Sequence, residues 1–444
     1  MRKSIILVCL LVGIMAASAA ATQTRVLTLG ENNMILLDEA NITLFPSRLF
    51  DYPKLAVAEF GRIEQVAAGA DAGGGELPEF RQFGLHWKYG SKKPWVLGTY
   101  FHNSEILYPL NFKGQPTVFD ANEFFERGYG YQEDPTEDFY RFILWDFFSS
   151  DTADFLRDNT ALMSNQRVDL YYSRELADNT FGFHFGRVQS SWEFDATNNN
   201  SEKSYRVYSL DAGMTMRNGL LDWAVGVDFT GFKDKDDNGN DLTKPSGGFG
   251  FDLKGRYFHM LNSIYTIIPH LTFATGKLGA KYYEIVGDDT ELRQTDEYSM
   301  TTLDLGVGLQ GTPATNVLMV LDFGLIMDRF KGAFKPEGGD EEEASLKTAT
   351  LPYFKIGFDA DVFKWLDVRF GSRTYWDNRT IEVDDGGKQK WHYSDNQTYL
   401  GFGFHFNRLH IDTRTDPNLF LDGFNFISGE DTEMNWQISA VYEF

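Results

Sequence analysis

The sequence predicts an all-β protein, a transmembrane antiparallel up-and-down β-barrel. Three observations predict it: hydrophobic alternation with period two over segments of about ten residues, connections that alternate strictly between short and long, and an N-terminal export signal on a chain that ends in an aromatic strand.

The alternation is clearest from Lys364 to Asp377, where Leu366, Val368 and Phe370 alternate with Asp367, Arg369 and Arg373. After Gly247, Phe249, Phe251, Leu253 and Tyr257 share one parity and Asp252, Lys254 and Arg256 the other. Val317, Met319, Leu321, Phe323, Leu325 and Met327 repeat the pattern against Asp322, Gly324 and Asp328. Strands are expected at 54–60, 80–89, 94–102, 165–175, 179–190, 204–216, 219–231, 247–259, 263–275, 297–311, 316–330, 347–361, 364–378, 396–406, 408–414 and 434–444. That is sixteen, an even number as single-chain bacterial barrels require, with fourteen the alternative if the weak first and penultimate strands are dropped.

The connections sort into two kinds. Gly90–Lys93, Leu176–Asp178, Asn218, Leu261–Asn262, Thr312–Thr315 and Phe363 are short; 61–79, 103–164, 191–203, 232–246, 276–296, 331–346, 379–395 and 415–433 are long. With the C-terminus in the periplasm, every short turn falls there and every long loop outside, the asymmetry of an outer-membrane barrel. A large soluble β-domain is the bland reading, and it has no reason to sort its loops.

The first 21 residues read as a signal peptide: Arg2 and Lys3, an apolar run from Ile5 to Met15, and the small residues Ala16 to Ala21. Cys9 lies inside this run, so the mature chain is expected to lack cysteine, which leaves no disulfide, thiol nucleophile or zinc–thiolate site. Removing Arg2 and Lys3 takes the formal charge from −23 to −25. Such an acidic chain repels nucleic acid, so no nucleic-acid partner is expected. The negative mean hydropathy would suggest a soluble protein, but barrel strands average lipid-facing and lumen-facing residues to near neutrality.

Domain organisation follows: a signal peptide at 1–21, an N-terminal segment at 22–53 that is irregular or lies in the lumen, and the barrel at 54–444 with an insertion at 103–164. Loop 103–164 is too long to be structureless. Pro135 to Asp158 reads as a helix, with Glu137 and Asp138 in its first turn and Phe139, Phe142, Ile143, Trp145, Phe147 and Phe148 behind them. Its apolar circumference must bury itself at the barrel mouth or in the membrane interface.

Four groups of residues carry chemistry. Val441-Tyr442-Glu443-Phe444 ends an alternating aromatic strand; Tyr442 and Phe444 resemble the signal by which barrels engage their assembly machinery. Arg167, Asp169, Asp252, Lys254, Arg256, Asp322, Lys355, Asp359, Asp361, Asp367, Arg369 and Arg373 share the polar parity and should line the lumen. A charged Arg or Lys facing lipid at mid-depth would cost about 2–4 kcal/mol. Whether these residues form a polar conduit or a salt-bridged closed interior stays open. Asp234, Asp236 and Asn238 in Asp234–Asp241 match the first half of a calcium loop, but Pro245 stands where the bidentate Glu belongs, so a solvated hairpin turn is the competing reading. No other cofactor is expected. Asp340–Glu343 and Asp288–Asp289 read as solvated loop charges at which ions bridging lipopolysaccharide could collect. The histidines His86, His102, His184, His259, His270, His392, His405 and His410 sit mostly among strand aromatics, without a nucleophile elbow, an H-E-x-x-H or a phosphate loop, so no enzyme is expected.

Val26-Leu27-Thr28-Leu29-Gly30, then Leu37-Asp38-Glu39-Ala40-Asn41, Leu44-Phe45-Pro46-Ser47-Arg48-Leu49 and a first strand Leu55 to Phe60 together resemble the start of the outer-membrane long-chain fatty-acid transporter superfamily. Pro94–Tyr100 is similar to the family's third strand. The likeness covers 26–102 in motif and the rest in barrel pattern only. The family's asparagine before the proline is replaced by Phe45. The resemblance implies that 22–53 is a hatch carrying Asp38, Asn41 and Pro46, that Phe139, Phe142 and Trp145 belong to a capture site for a small hydrophobic ligand, and that ligands leave by a lateral opening. It implies passive uptake of small hydrophobic molecules. A general diffusion porin, and a barrel that anchors or shuttles partner proteins, are the alternatives. Outer-membrane lipid and lipopolysaccharide are the expected surroundings.

Overall fold

The computed structural model describes residues 22–62, 79–104, 165–196, 199–216, 219–235, 241–286, 289–336, 338–383, 387–415 and 436–444. These form one closed antiparallel sheet of sixteen strands. In chain order they are β1 (Leu55–Arg62), β2 (Glu79–Tyr89), β3 (Trp95–Ser104), β4 (Asn165–Leu176), β5 (Asn179–Ala196), β6 (Asn199–Met216), β7 (Leu221–Lys235) and β8 (Asp241–Tyr257, resumed at His259–Met260). The second half comprises β9 (Tyr265–Val286), β10 (Asp289–Ala314), β11 (Val317–Pro336), β12 (Glu342–Phe363), β13 (Leu366–Val383), β14 (Gly387–Phe406), β15 (Leu409–Thr415) and β16 (Trp436–Glu443). Each strand pairs with its neighbours in sequence. The ring closes because β1 pairs with both β2 and β16, in a register that sets Leu55 opposite Glu443 and Arg62 opposite Trp436. The weak first and penultimate segments are real strands, so sixteen holds and fourteen does not.

The strands cross in two parities. Phe83, Phe101, Leu170, Phe183, Leu210, Phe229, Phe323 and Phe370 point outward and are exposed, while Asp169, Asp222, Asp252, Asp322 and Arg369 point inward and are buried. An outer apolar face with every backbone group paired in a closed sheet is the β solution to crossing a bilayer. Near the short turns the outer surface becomes aromatic: Tyr89 stacks on Trp95 at 4.4 Å, Phe363 on Trp365 at 5.7 Å, and Trp87 meets Phe444 at 5.4 Å. Such a girdle marks the membrane–water interface. The protein is a multi-pass barrel of the outer membrane, with the short turns gathered at one end.

The opposite end differs from expectation. The stretches read as long loops at 191–203, 232–246, 276–296, 331–346 and 379–395 are largely continued hairpins: β9 and β10 pair from Tyr265 and Gly311 out to Val286 and Asp289. β10 is 26 residues long, against the 9–11 or so needed to cross a membrane. The alternation of apolar and polar residues that reveals a half-buried strand is not sustained along these extensions. Cross-strand ion pairs such as Lys331–Glu343 and Lys347–Glu382, both at 2.5 Å, take its place.

Candidate functional site

The barrel is not hollow at its short-turn end. Residues 22–53 run through it as an α-helix, α1 (Gln23–Thr28), followed by two 3-10 turns, Glu39–Thr43 and Pro46–Asp51. Local sequence explains the elements. Thr22 caps α1 by accepting from Arg25 N at 3.3 Å. Asp38 and Asn41 form a reciprocal capping box around the first 3-10 turn. Pro46 opens the second, where its missing N–H costs nothing. Between α1 and the first 3-10 turn, Gly30 turns the chain at φ +78°. Val26, Leu29, Ile35 and Leu36 pack on the wall residues Phe258, Ile268 and Val320, and Ile42 and Leu49 on Val57, Val96, Tyr100 and Tyr171.

The wall makes room for this segment. A Cβ on Gly182 would lie 2.1 Å from Pro46 C and Ser47 N, and one on Gly371 would lie 2.3 Å from Gly30 N. Only glycine lets the two backbones approach so closely.

Three ionic centres tie the segment to the wall. In the first, Arg256 of β8 donates from Nε to Asp222 of β7 at 2.8 Å, from Nη1 to the Leu36 carbonyl at 2.9 Å and from Nη2 to Asn41 Oδ1 at 2.9 Å. Its guanidinium lies over the rings of Phe45 and Phe258 at 4.7 and 5.0 Å. Arg48 reaches the same Asp222 carboxylate at 2.9 Å. In the second, Arg25 bridges Asp359 at 2.9 Å and Asp38 at 3.3 Å, while Thr22 donates to Asp412 at 2.9 Å. Arg369 binds Asp359 at 3.1 Å, Asp367 at 3.2 Å and Asp412. In the third, Glu31 is held by Arg373 and accepts from the Tyr399 hydroxyl at 2.8 Å. Burial raises the Glu31 carboxyl, but Arg373, Lys355 and Tyr399 outweigh it and hold it at about 2.

A fourth contact is of another kind. Burial pushes the Glu39 carboxyl well above its usual range, against the opposing hydrogen bond from Tyr100. His86 Nδ1 faces the Tyr52 carbonyl at 2.8 Å and must donate there, so Nε2 can only accept from the Tyr100 hydroxyl, also at 2.8 Å. The Tyr100 hydroxyl thus lies between Glu39 of the segment and His86 of the wall and joins the two.

Of the residues read as lumen-lining, Asp169, Asp252, Lys254, Arg256, Asp322, Asp359, Asp367, Arg369 and Arg373 are buried inside the barrel, and Arg167 and Lys355 partly so. Arg256, Asp359, Arg369 and Arg373 meet the inner segment or one another there, and Lys355 donates to the Glu31 carbonyl at 3.4 Å. Arg167 pairs with Asp169 at 2.7 Å, Lys254 with Asp252 at 3.1 Å and Asp322 with His270 at 2.9 Å. Asp361 is instead exposed at its strand end. Asp38, Asn41 and Pro46 all lie at contacts with the wall or at the caps that shape the segment. Tyr442 faces outward on β16. Phe139, Phe142 and Trp145 lie outside the described residues, as do Asp236 and Asn238; Asp234 pairs with Lys203 and Thr243 within β7. Sequence reading missed Asp222, His86, Tyr100, Tyr399 and the inward histidines. Parity was the available signal: His184, flanked by the outward Phe183 and Phe185, is inward and bridges Asp169 and Asp211 at 2.8 and 2.6 Å.

No protein-family model matches the sequence, and no curated protein matches it. Among solved structures, the chain is similar to the toluene transporter TodX of Pseudomonas putida, at 11% identity over 94% of this chain and 96% of that one, with a TM-score of 0.36. It is also similar to the siderophore receptor PirA of Acinetobacter baumannii (10% identity, 88% of this chain and 80% of that one, TM-score 0.29). A third similarity is to CdiB from Escherichia coli (8% identity, 88% and 63%, TM-score 0.41).

Proposed function

We propose that this protein is a plugged outer-membrane channel for the passive uptake of small hydrophobic molecules, akin to the long-chain fatty-acid transporter superfamily. The observation that carries the reading is the inner segment 22–53. It fills the periplasmic end of the lumen, which speaks against a general diffusion porin. Besides its apolar packing, it is attached through polar and ionic contacts on Arg25, Glu31, Asn41 and Arg48. The polar part of this attachment can be exchanged for water on release.

The test is conductance of the purified full-length barrel in planar bilayers, beside a variant lacking residues 22–53. The intact protein should give small, infrequent currents and the truncated one large, steady currents. Liposomes containing the intact protein should take up toluene or a fluorescent acyl probe faster than protein-free liposomes. Equal uptake by the two would remove the hydrophobic-uptake reading, and unchanged conductance on truncation would remove the plug.

A further inference from the structure

On β4 the inward residues are Asp169, Tyr171 and Ser173, all buried, so Leu170, Tyr172 and Arg174 face outward. Arg174 therefore stands on the lipid-facing side of the wall, opposite Trp95 of β3 and Phe181 of β5. Trp95 stacks on Tyr89, and its ring lies 5.8 Å from that of Tyr172, so this row belongs to the aromatic girdle. Arg174 is partly exposed and its Nε is buried without a hydrogen-bond partner. No ion pair reaches it among the described residues. Its charged neighbours lie in the turns: Lys92 and Lys93 are exposed between β2 and β3, and Glu175 and Asp178 are exposed where β4 turns into β5. Glu175 follows Arg174 in the strand, so its side chain starts toward the opposite face.

One row farther from the short turns the outer wall is concave. A groove of about 530 Å³ runs across β3 to β8, with Leu97, Leu170, Phe183, Phe185, Leu210 and Ala212 in its lining. Ala212 is the small residue of the set, paired with Phe183 on one side and Val225 on the other. A methyl group between larger side chains leaves the hollow. Leu170 is four residues from Arg174, about 13 Å along the strand. The volume falls within the roughly 300–1,000 Å³ of small-molecule sites. Asp211 and His184, behind the groove, turn into the lumen and bond each other, so they bring no charge to the outer face.

We infer that this face holds one phospholipid of the leaflet on the short-turn side, with its phosphate on Arg174 and one acyl chain in the groove over Ala212. Each half of the ligand answers a feature that the protein leaves open. The guanidinium is a planar fork of donors that suits a phosphate, and it is more weakly hydrated than an ammonium. The girdle sets Arg174 at headgroup depth, where an outward cation costs little. The groove begins one row inside, at the depth of the chains. A soluble anion would fill only the first half of the site, and a neutral hydrocarbon only the second. With Lys92 and Lys93 set against Glu175 and Asp178, Arg174 leaves the rim positive, which favours an anionic headgroup such as phosphatidylglycerol.

Native mass spectrometry of the full-length protein counts the lipid. The protein, delipidated in detergent, is titrated with phosphatidylglycerol beside Arg174→Gln, Ala212→Phe and Arg187→Gln. All three substitutions lie on the outer face, and closure of each barrel is checked by heat-dependent gel migration. The wild type should retain one phosphatidylglycerol tightly. Arg174→Gln should bind it about tenfold more weakly, the scale of one lost hydrogen bond to a charged group. Ala212→Phe should lose it by filling the groove. Arg187, exposed on β5 six residues from Phe181, is the control at the far side of the apolar rows and should not matter. Equal retention by the wild type, Arg174→Gln and Ala212→Phe would overturn the inference. So would a loss confined to Arg187→Gln, or lipid-free dimers that Ala212→Phe dissociates.

Discussion

Arg256 and Asp222 meet at 2.8 Å with both side chains fully withdrawn from solvent. Asp222 also takes Arg48 from the inner segment, and Arg256 also donates to that segment's Leu36 carbonyl and Asn41. The pair is therefore the node at which wall and inner segment share charge.

Removing one member of such a buried cluster should destabilise by about 3–5 kcal/mol; without Arg256, Asp222 keeps only Arg48, and the Leu36 carbonyl and Asn41 lose their donor. Arg256→Met should expose residues 22–53 to protease in the folded barrel and raise conductance. Asp222→Asn combined with Arg256→Met should add to the loss, since Arg48 then loses its buried counter-charge. A double variant no worse than the single would show that Arg48 does not depend on Asp222.

Glu31 makes docking of the segment acid-sensitive. Its carboxyl is held at about 2 in the docked state, against an ordinary 4.5. A depressed value stabilises docking above the free-state pKa, and that contribution fades as pH falls from about 4.5 to about 2. Conductance of the wild type should rise over this window. Glu31→Gln should already conduct more at neutral pH and lose that part of the pH response.

Gly182 tests the close approach of segment and wall. Its Cβ would collide with the Pro46–Ser47 peptide, whereas one on Gly231 would meet nothing within 4 Å. Gly182→Ala should weaken docking, read as faster hydrogen exchange over 46–51, while Gly231→Ala should leave it unchanged. Equal effects would mean that strand flexibility, not the contact, governs docking.

Phe323 tests the lipid-facing wall. It is 57% exposed on β11, with Asp322 buried on the other face. Phe323→Arg should cost about 2–4 kcal/mol in folding into lipid vesicles if it sits near mid-depth. The measurement is reversible denaturant unfolding in vesicles; a cost near zero would move that position out of the bilayer.

The strand number, the two parities and the short turns were all legible in the sequence. A residue such as Phe323 or Asp322 is assigned to a face by its immediate neighbours alone, and a period of two needs no knowledge of the rest of the chain. The outer hairpins were read as loops for the same reason in reverse: 276–296 carries no sustained alternation to read. Partners were not legible. Arg25 and Asp359 are 334 residues apart, and nothing local to either records the other. The sequence by itself determined which side chains avoid lipid. Only the closure of β1 onto β16 decided which of them meet, because a ring brings distant strands around one segment and lets inward charges such as Arg25 and Asp359 meet there.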